Sequence, residues 1–554
     1  MKKKWWKEAV VYQIYPRSFN DSNNDGIGDL NGITEKLDYL LELGVDVLWL
    51  TPINKSPNYD NGYDISDYKK VMDEFGTLSD FKNLISEAEK KGLKVIIDLV
   101  MNHTSYKHKW FKDSKKKKNN KSDYYIWKKE IPNNWRSFFS GSAWEYEEER
   151  GEYYLHLYAK EQADLNWENN EVKDEFKKIM KWWLDLGVSG FRLDAIHHLA
   201  KEQDFSDIEV ENIDDESQLF SAPQYTHREK VHKILNEFNN EIFNPNNLLT
   251  VGEIGYADLE TSYKYTATDR KEVSMVVQFD HLNLSDFKKD NLKKMKKIQK
   301  DWYNKLFEEA WIVQYLESHD QPRSLSKYGD LKYRDNSAKL LATLLLTSPG
   351  TPFIYQGEEI GMTNVNFNKI DEYDDIKMKN KYNELIERGL SEDKFFDELK
   401  KKSRDNARTP MQWNNKENAG FSDSTPWLKV NSNYKKINVE NNLKNNKSIL
   451  KRYQNLIELR KKHKDCLVYG KYEDLLEENK DIHIYKRKCE DKTILIILNF
   501  TRKNINLEKI TGDLILLDNY EFLLSDNKDK RTLFAFESMI LINKLKRGEK
   551  NENK

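Results

Sequence analysis

Short apolar runs rich in β-branched and aromatic residues recur through the first two-thirds of the chain, most of them followed by a stretch with helical spacing. They are Val10–Tyr15, Val47–Leu50, Val95–Val100, Gly190–Leu193, Leu248–Gly252, Met275–Phe279, Ile312–Leu316 and Pro352–Tyr355. Near-continuous apolarity suits parallel strands covered on both faces. Eight such strands alternating with helices predict an α/β fold, a (β/α)8 barrel. The alternation is broken after the third run, where 104–167 carry a lysine run, Trp and Tyr clusters and Gly punctuation. That stretch is too long for one βα connection and reads as a small inserted domain. A second excursion, 361–413, follows the eighth run and includes helical pieces such as Lys379–Arg388.

Helical periodicity returns at Ser448–Lys462 and closes the barrel, which thus takes 1–103 and 168–465. Beyond it, Ile482–Tyr485, Thr493–Phe500, Leu514–Leu517 and Phe534–Leu541 have the pattern of antiparallel strands. They predict a C-terminal antiparallel β-sandwich over 466–545, followed by a charged, frayed tail at 546–554.

Composition narrows the class of partner. The 91 basic residues are balanced by 93 acidic ones, for a net charge of −2, so no field draws the chain to nucleic acid or to an anionic membrane. No apolar window reaches membrane-span length, and no apolar leader follows the lysines of the start. Two cysteines, Cys466 and Cys489, are too few for a disulfide framework, and their spacing is no metal-ligand pattern. A reducing, cytoplasmic setting and a monomer or weak homo-oligomer are expected.

In barrels of this kind the working groups sit where strands end. Here Asp98, Asn102 and His103 lie on and after the third strand, Arg192 and Asp194 on the fourth, Glu253 after the fifth, and His319 and Asp320 after the seventh. Each alone would more often be a structural polar group. Four strand ends converging on one rim with carboxylates, imidazoles and an arginine point to acid–base chemistry.

Asp98-Leu-Val-Met-Asn-His103, Gly190-Phe-Arg-Leu-Asp194, Val251-Gly-Glu253 and Ser318-His-Asp320 resemble, in order and spacing, the four short motifs of the α-amylase family of glycoside hydrolases. The likeness extends to Val11-Tyr-Gln-Ile-Tyr-Pro16, Asp60-Asn-Gly-Tyr-Asp64, Tyr355-Gln-Gly-Glu-Glu359 and Ala407-Arg-Thr-Pro-Met-Gln-Trp413. It is closest to the group of oligo-1,6-glucosidases, α-glucosidases and trehalose-6-phosphate hydrolases. The resemblance implies a retaining, exo-acting α-glucosidase that releases terminal glucose from short α-glucosides such as maltose, isomaltose and panose. It makes Asp194 the nucleophile, Glu253 the general acid and base, and Asp320 the carboxylate that stabilises the transition state. Arg192 would keep Asp194 ionised, and His103 and His319 would donate to glucose hydroxyls. Asp60 and Arg404 would pair to wall off the pocket, with Tyr63 stacked on the sugar, although Arg408 competes with Arg404 for that role. Asp98 is expected to support from behind.

Asp21, Asn23, Asp25, Ile27 and Asp29 place oxygen ligands at alternate positions, with Gly26 sixth for a sharp turn. Position twelve is Gly32 rather than Glu, so only the first part of an EF-hand loop is present. Three carboxylates at this spacing repel unless a cation joins them, which favours a structural Ca²⁺, with Mg²⁺ the alternative. An Asx-rich turn is the competing reading. No organic cofactor is expected.

Two rivals share the fold. A non-catalytic transporter partner would lack the three carboxylates and carry a membrane span. A trehalose-6-phosphate hydrolase is favoured by Gln162-Ala-Asp-Leu-Asn166, which departs from the commoner Gln-Pro-Asp-Leu-Asn of the family. Against strict α-1,6 preference stands Ala195, where α-1,6-preferring members usually carry Val after the nucleophile.

Overall fold

The computed structural model describes residues 3–209, 220–389, 392–512 and 517–544. All eight apolar runs form parallel strands: β1 Val11–Ile14, β2 Val47–Leu50, β3 Lys94–Val100, β4 Gly190–Asp194, β5 Leu249–Glu253, β6 Met275–Val277, β7 Val313–Gln314 and β8 Thr351–Tyr355. They lie side by side in the order β6-β5-β4-β3-β2-β1-β8-β7. A single parallel bridge, Val276 to Ile312, joins the two ends and closes the barrel. β6 and β7 are shorter than their apolar runs because each makes its ladder with one neighbour and only that bridge with the other.

Strand alternation sorts the side chains. Val11, Val47, Trp49, Ile96, Leu249, Val251, Met275, Val313 and Phe353 form one buried cluster inside the barrel. Their neighbours of opposite parity, including Tyr12, Leu48, Leu50, Ile97, Leu99 and Leu193, pack outward with the helices. Burying each such aliphatic side chain stabilises the fold by about 1.5–3 kcal/mol. Continuing the inner parity toward the strand ends gives Gln13, Asp98, Arg192, Asp194 and Glu253. In register, Arg192 lies beside Asp98 on β3 and Val251 on β5. The polar groups therefore form the top layer of the same lumen. Gly190 lets β4 approach β5: a Cβ there would lie 2.0 Å from the Leu249 carbonyl oxygen.

After β3 the chain forms a two-stranded ladder, His103–Ser105 with Gln162–Asp164, around the helix Lys109–Lys115 and a three-stranded sheet of Trp127–Lys128, Trp144–Glu147 and Glu152–Leu155. After β8 come the helices Ile376–Glu387 and Glu392–Lys402. Helix Ile449–Lys462 starts at Ser448, whose hydroxyl caps the Lys451 N–H.

The C-terminal region is an antiparallel sheet of β9 Lys471–Asp474, β10 Ile482–Lys488, β11 Lys492–Asn499, β12 Glu521–Ser525 and β13 Ser538–Lys544, ordered β9-β10-β11-β13-β12. A small pair, Ile505–Asn506 with Thr532–Leu533, accompanies it. One expected strand differs. The run from Phe534 is interrupted by a turn, Phe536 having a φ of 50°, and its strand begins at Ser538. Leu514–Leu517, except for Leu517, which opens a 3-10 turn, and the tail 546–554 lie outside the described residues. The two cysteines, too few for a framework, are nonetheless paired: Cys466 on the short helix Lys464–Leu467 is bonded to Cys489 in the β10–β11 turn. No helix among the described residues is long and apolar enough to cross a membrane.

Candidate active site

Arg192 stands at the centre of the rim. Its Nη1 contacts Asp194 Oδ1 at 2.5 Å and Asp98 Oδ1 at 3.3 Å, and its Nη2 contacts Glu253 Oε2 at 2.9 Å. One guanidinium thus faces three carboxyl groups. Burial pushes the Asp194 carboxyl up, Arg192 pulls it down, and Glu253 and Asp98 push it up again; the net direction is well above the usual carboxylate range. Arg192 therefore moderates the raising of Asp194 but does not cancel it.

Glu253 engages Arg192 and the Ala195 N–H (3.1 Å) through Oε2. Among the described residues its Oε1 makes no hydrogen bond, and its side chain is 22% exposed against 10% for Asp194. Ala195 lies beyond the end of β4, at φ 46° and ψ 37°, where it opens the 3-10 turn Ile196–His198. This left-handed conformation is uncommon for a residue with a Cβ.

Asp98 is fully enclosed beneath this layer and accepts a 2.8 Å hydrogen bond from the Tyr63 hydroxyl. The same hydroxyl lies 2.6 Å from His319 Nε2. Gln13 Nε2 donates to His319 Nδ1 at 2.7 Å, which leaves the ring proton on Nε2, toward Tyr63 and toward Asp320 Oδ2 at 3.0 Å. Burial would raise Asp320, but His319 and then Arg408 and Arg404 outweigh it and hold the carboxyl well below its usual range. Arg408 Nη2 donates to Asp320 Oδ1 at 2.8 Å.

Arg404 lies 3.5 Å from Asp60 Oδ1 and 3.7 Å from Asp320 Oδ1. The competition between the two arginines is thus resolved by division: Arg404 faces both Asp60 and Asp320, while Arg408 holds Asp320. Asp60 also accepts from Gln162 Nε2 at 3.1 Å. The same amide nitrogen is 3.1 Å from His103 Nε2. Burial lowers the pKa of His103 to about 4, so its ring is neutral.

Asp60, Tyr63, His103, Asp194, Glu253, Asp320 and Arg404 line one cavity of about 190 Å³, closed in further by Phe139, Tyr158, Gln162 and Lys377. Arg192 and His319 are not on its wall but bond residues that are. Sequence reasoning assigned no role to Gln13, Gln162 or Asp375, and weighed Arg408 only as the rival of Arg404. Gln13, Gln162 and Arg408 lie in stretches that carried the family resemblance, so a signal existed. Asp375 had only the pattern of a helix N-cap, which it also fills for Ile376–Glu387.

The Asp21–Asp29 loop lies apart from this cavity. Asp21 accepts the N–H groups of Asn23, Asn24 and Gly26, Asn23 that of Asp25, and Asp25 that of Ile27. Asp29 caps the helix Leu30–Glu35 through the Gly32 N–H. The loop is a chain of Asx turns around Gly26 (φ +89°), whose Cβ would meet the Thr425 carbonyl oxygen at 2.2 Å. Its side chains offer only oxygens, as a hard cation requires, but among the described residues the carboxylates of Asp21, Asp25 and Asp29 do not converge on one point.

These features define a glycoside hydrolase barrel, and comparison with known proteins agrees. Residues 13–470 match the catalytic domain of the α-amylase family, and the chain belongs to that family. It is 49% identical to the oligo-1,6-glucosidase of Parageobacillus thermoglucosidasius, over 91% of this chain and 92% of that one. It is 46% identical to the oligo-1,6-glucosidase of Bacillus cereus, over 98% and 99%. A solved trehalose-6-phosphate hydrolase of Bacillus licheniformis superposes with a TM-score of 0.91 at 43% identity, covering 98% of this chain and all of that one.

Proposed function

We propose that the chain is a retaining α-glucosidase of the oligo-1,6-glucosidase kind, which removes single glucose units from the non-reducing ends of short α-1,6- and α-1,4-linked glucosides. The observation that carries this reading is the shared contact of Asp194 and Glu253 with Arg192, which sets two carboxyls side by side at the mouth of a closed cavity. A retaining mechanism needs carboxyls about 5–5.5 Å apart.

Asp194 attacks the anomeric carbon from the face opposite the leaving oxygen. The C–O bond breaks as Glu253 passes its proton to that oxygen, and a β-glucosyl ester forms on Asp194. Glu253 Oε1 is the oxygen suited to carry the proton, since Oε2 is occupied by donors. Glu253, now ionised, takes a proton from water, whose oxygen displaces Asp194 and gives α-glucose. Asp320, held ionised by His319 and the two arginines, stabilises the developing positive charge and accepts from sugar hydroxyls. The Asp60–Arg404 pair forms the end wall that limits entry to one terminal sugar.

A structural Ca²⁺ on the Asp21–Asp29 loop belongs to this reading, supported by the oxygen donor set, and would supply cohesion rather than chemistry. A cytoplasmic setting and a monomeric or weakly oligomeric state belong to the same reading, with the Cys466–Cys489 disulfide pointing the other way on compartment. The test is hydrolysis of isomaltose, maltose and trehalose 6-phosphate followed by NMR of the first product. Release of α-glucose from isomaltose or maltose is expected. Turnover of trehalose 6-phosphate alone would replace this reading with that of the phosphorylated-sugar relative.

A further inference from the structure

Beyond the rim, the rings of His197, His198 and His227 are packed together, and two of them bond the backbone of the segment Glu253–Gly255. His197, three residues after Asp194, places Nδ1 3.3 Å from the Glu253 carbonyl oxygen. His227 places Nε2 2.9 Å from the Gly255 carbonyl oxygen. Carbonyl oxygens only accept, so each of these nitrogens carries the proton and donates it. The two histidines are tied together, the His227 backbone N–H donating to the His197 backbone carbonyl at 2.9 Å, and their rings lie 5.4 Å apart. His227 Nδ1, then an acceptor, faces the Tyr265 hydroxyl at 3.1 Å. Burial first, and then the neighbouring histidines, lower the pKa of His197 well below its usual value, which keeps it neutral.

The joint has little slack. A Cβ on Gly255 would come within 3.1 Å of His197 Nε2, and His197 is pressed from its other side by His198 at 3.8 Å between centroids. At the side-chain end, Glu253 Oε2 is held by Arg192 and by the Ala195 N–H. The turn that follows the nucleophile therefore holds Glu253 at both its carbonyl and its carboxyl.

We propose that His197 and His227 are positioning residues for the acid/base Glu253: their N–H groups fix the backbone of residues 253–255 so that the carboxyl meets the glycosidic oxygen. This inference rests on the assignment of Glu253 made above. It predicts a selective defect. Cleavage of an unactivated glucoside such as isomaltose needs proton donation to a basic leaving oxygen, whereas a dinitrophenolate leaves without it.

The experiment compares kcat/KM, which reports the first bond-breaking step, for isomaltose and 2,4-dinitrophenyl α-glucoside. In His197→Ala the isomaltose value should fall about 10–100-fold, the cost of a misplaced catalytic group, while the dinitrophenyl value stays within about two-fold. His197→Asn, whose amide Nδ2 can take the place of imidazole Nδ1, should recover most of the loss. His227→Leu and His227→Gln form the parallel pair. An equal fall on both substrates, no fall on either, loss of folding in both His197→Ala and His227→Leu, or no recovery with the amides would overturn the proposal. Failure of the wild type to cleave either substrate would instead strike the functional assignment itself.

Discussion

Asp375 accepts two hydrogen bonds from the side chain of Arg404 on one carboxylate oxygen, from Nε at 3.0 Å and Nη2 at 2.8 Å, and the Arg404 backbone N–H on the other at 3.0 Å. Asp375 is buried, and it begins the helix that covers one side of the cavity. The end wall of the pocket is therefore built from a segment far along the chain from the catalytic strands.

Asp375→Ala should loosen that wall. Removing one member of a buried, hydrogen-bonded ion pair costs about 3–5 kcal/mol, so the melting temperature should drop. Arg404, released, should hold Asp60 and Asp320 less well, and KM for isomaltose should rise by about ten-fold or more with a smaller change in kcat, since a lost contact of about 1.4 kcal/mol is a factor of ten. Steady-state kinetics and a melting curve on the same preparation check this; an unchanged KM would show that Arg404 needs no such anchor.

Replacement of the two carboxyls at the rim should separate their roles. Asp194→Ala should lose about four orders of magnitude or more in kcat on every glucoside while circular dichroism stays native. Glu253→Gln should lose isomaltose cleavage and keep measurable reaction with dinitrophenyl α-glucoside. Retention of isomaltose turnover by either variant would remove it from the catalytic pair.

Glu358 offers a test of buried electrostatics away from the sugar. It lies after β8, with its oxygens on the Tyr355 N–H and the Tyr453 hydroxyl. Burial, with Glu317 next in effect, raises its pKa well above the usual range. A carboxyl whose pKa is raised on folding contributes stability below its unfolded pKa, and that contribution is lost as pH rises through the folded value. Glu358→Gln mimics the protonated form and keeps both partners. Its melting temperature relative to wild type should thus climb as pH goes from 5 to 9; a difference that is flat with pH would show that Glu358 carries no such linkage.

The loop at Asp21–Asp29 predicts that a chelator lowers the melting temperature and that added Ca²⁺ restores it, because an ion bound only by the folded chain stabilises it by mass action. Activity should decline no further than folding does. Identical melting curves with and without chelator would make the loop a series of Asx turns.

How much of this was legible in the sequence follows from what is local. The eight barrel strands were, because β-branched runs such as Val95–Val100 are covered on both faces and need no polar alternation. So were Asp194, Glu253 and Asp320, which come at strand ends within recognisable motifs. The pairings Arg404–Asp375, Gln162–Asp60 and Arg408–Asp320 were not, since each joins segments brought together only by the closed barrel and its insertions. The turn at Ala195 was not legible either, since nothing in its side chain marks the left-handed conformation in which β4 ends.

That turn reshapes the question of linkage preference. Ala195 is buried at the junction between nucleophile and acid, and its N–H is bonded to Glu253. Adding two methyls with Ala195→Val puts a β-branched residue at positive φ, a strained conformation costing about 1–3 kcal/mol unless the turn relaxes. Strain alone should lower kcat/KM for maltose and isomaltose together. Steric pressure on the acceptor sugar should not, because the α-1,6 linkage has an extra rotatable bond and lets its acceptor swing aside. The ratio of kcat/KM for isomaltose over maltose isolates that second effect, and it should rise about 10–200-fold, the range for one or two methylenes in a subsite. Ala195→Gly provides the converse control: it removes both strain and bulk, so the ratio should stay the same or move toward maltose. An equal loss on both disaccharides would mean that Ala195 acts on Glu253 through the turn and that linkage preference is set elsewhere on the cavity wall.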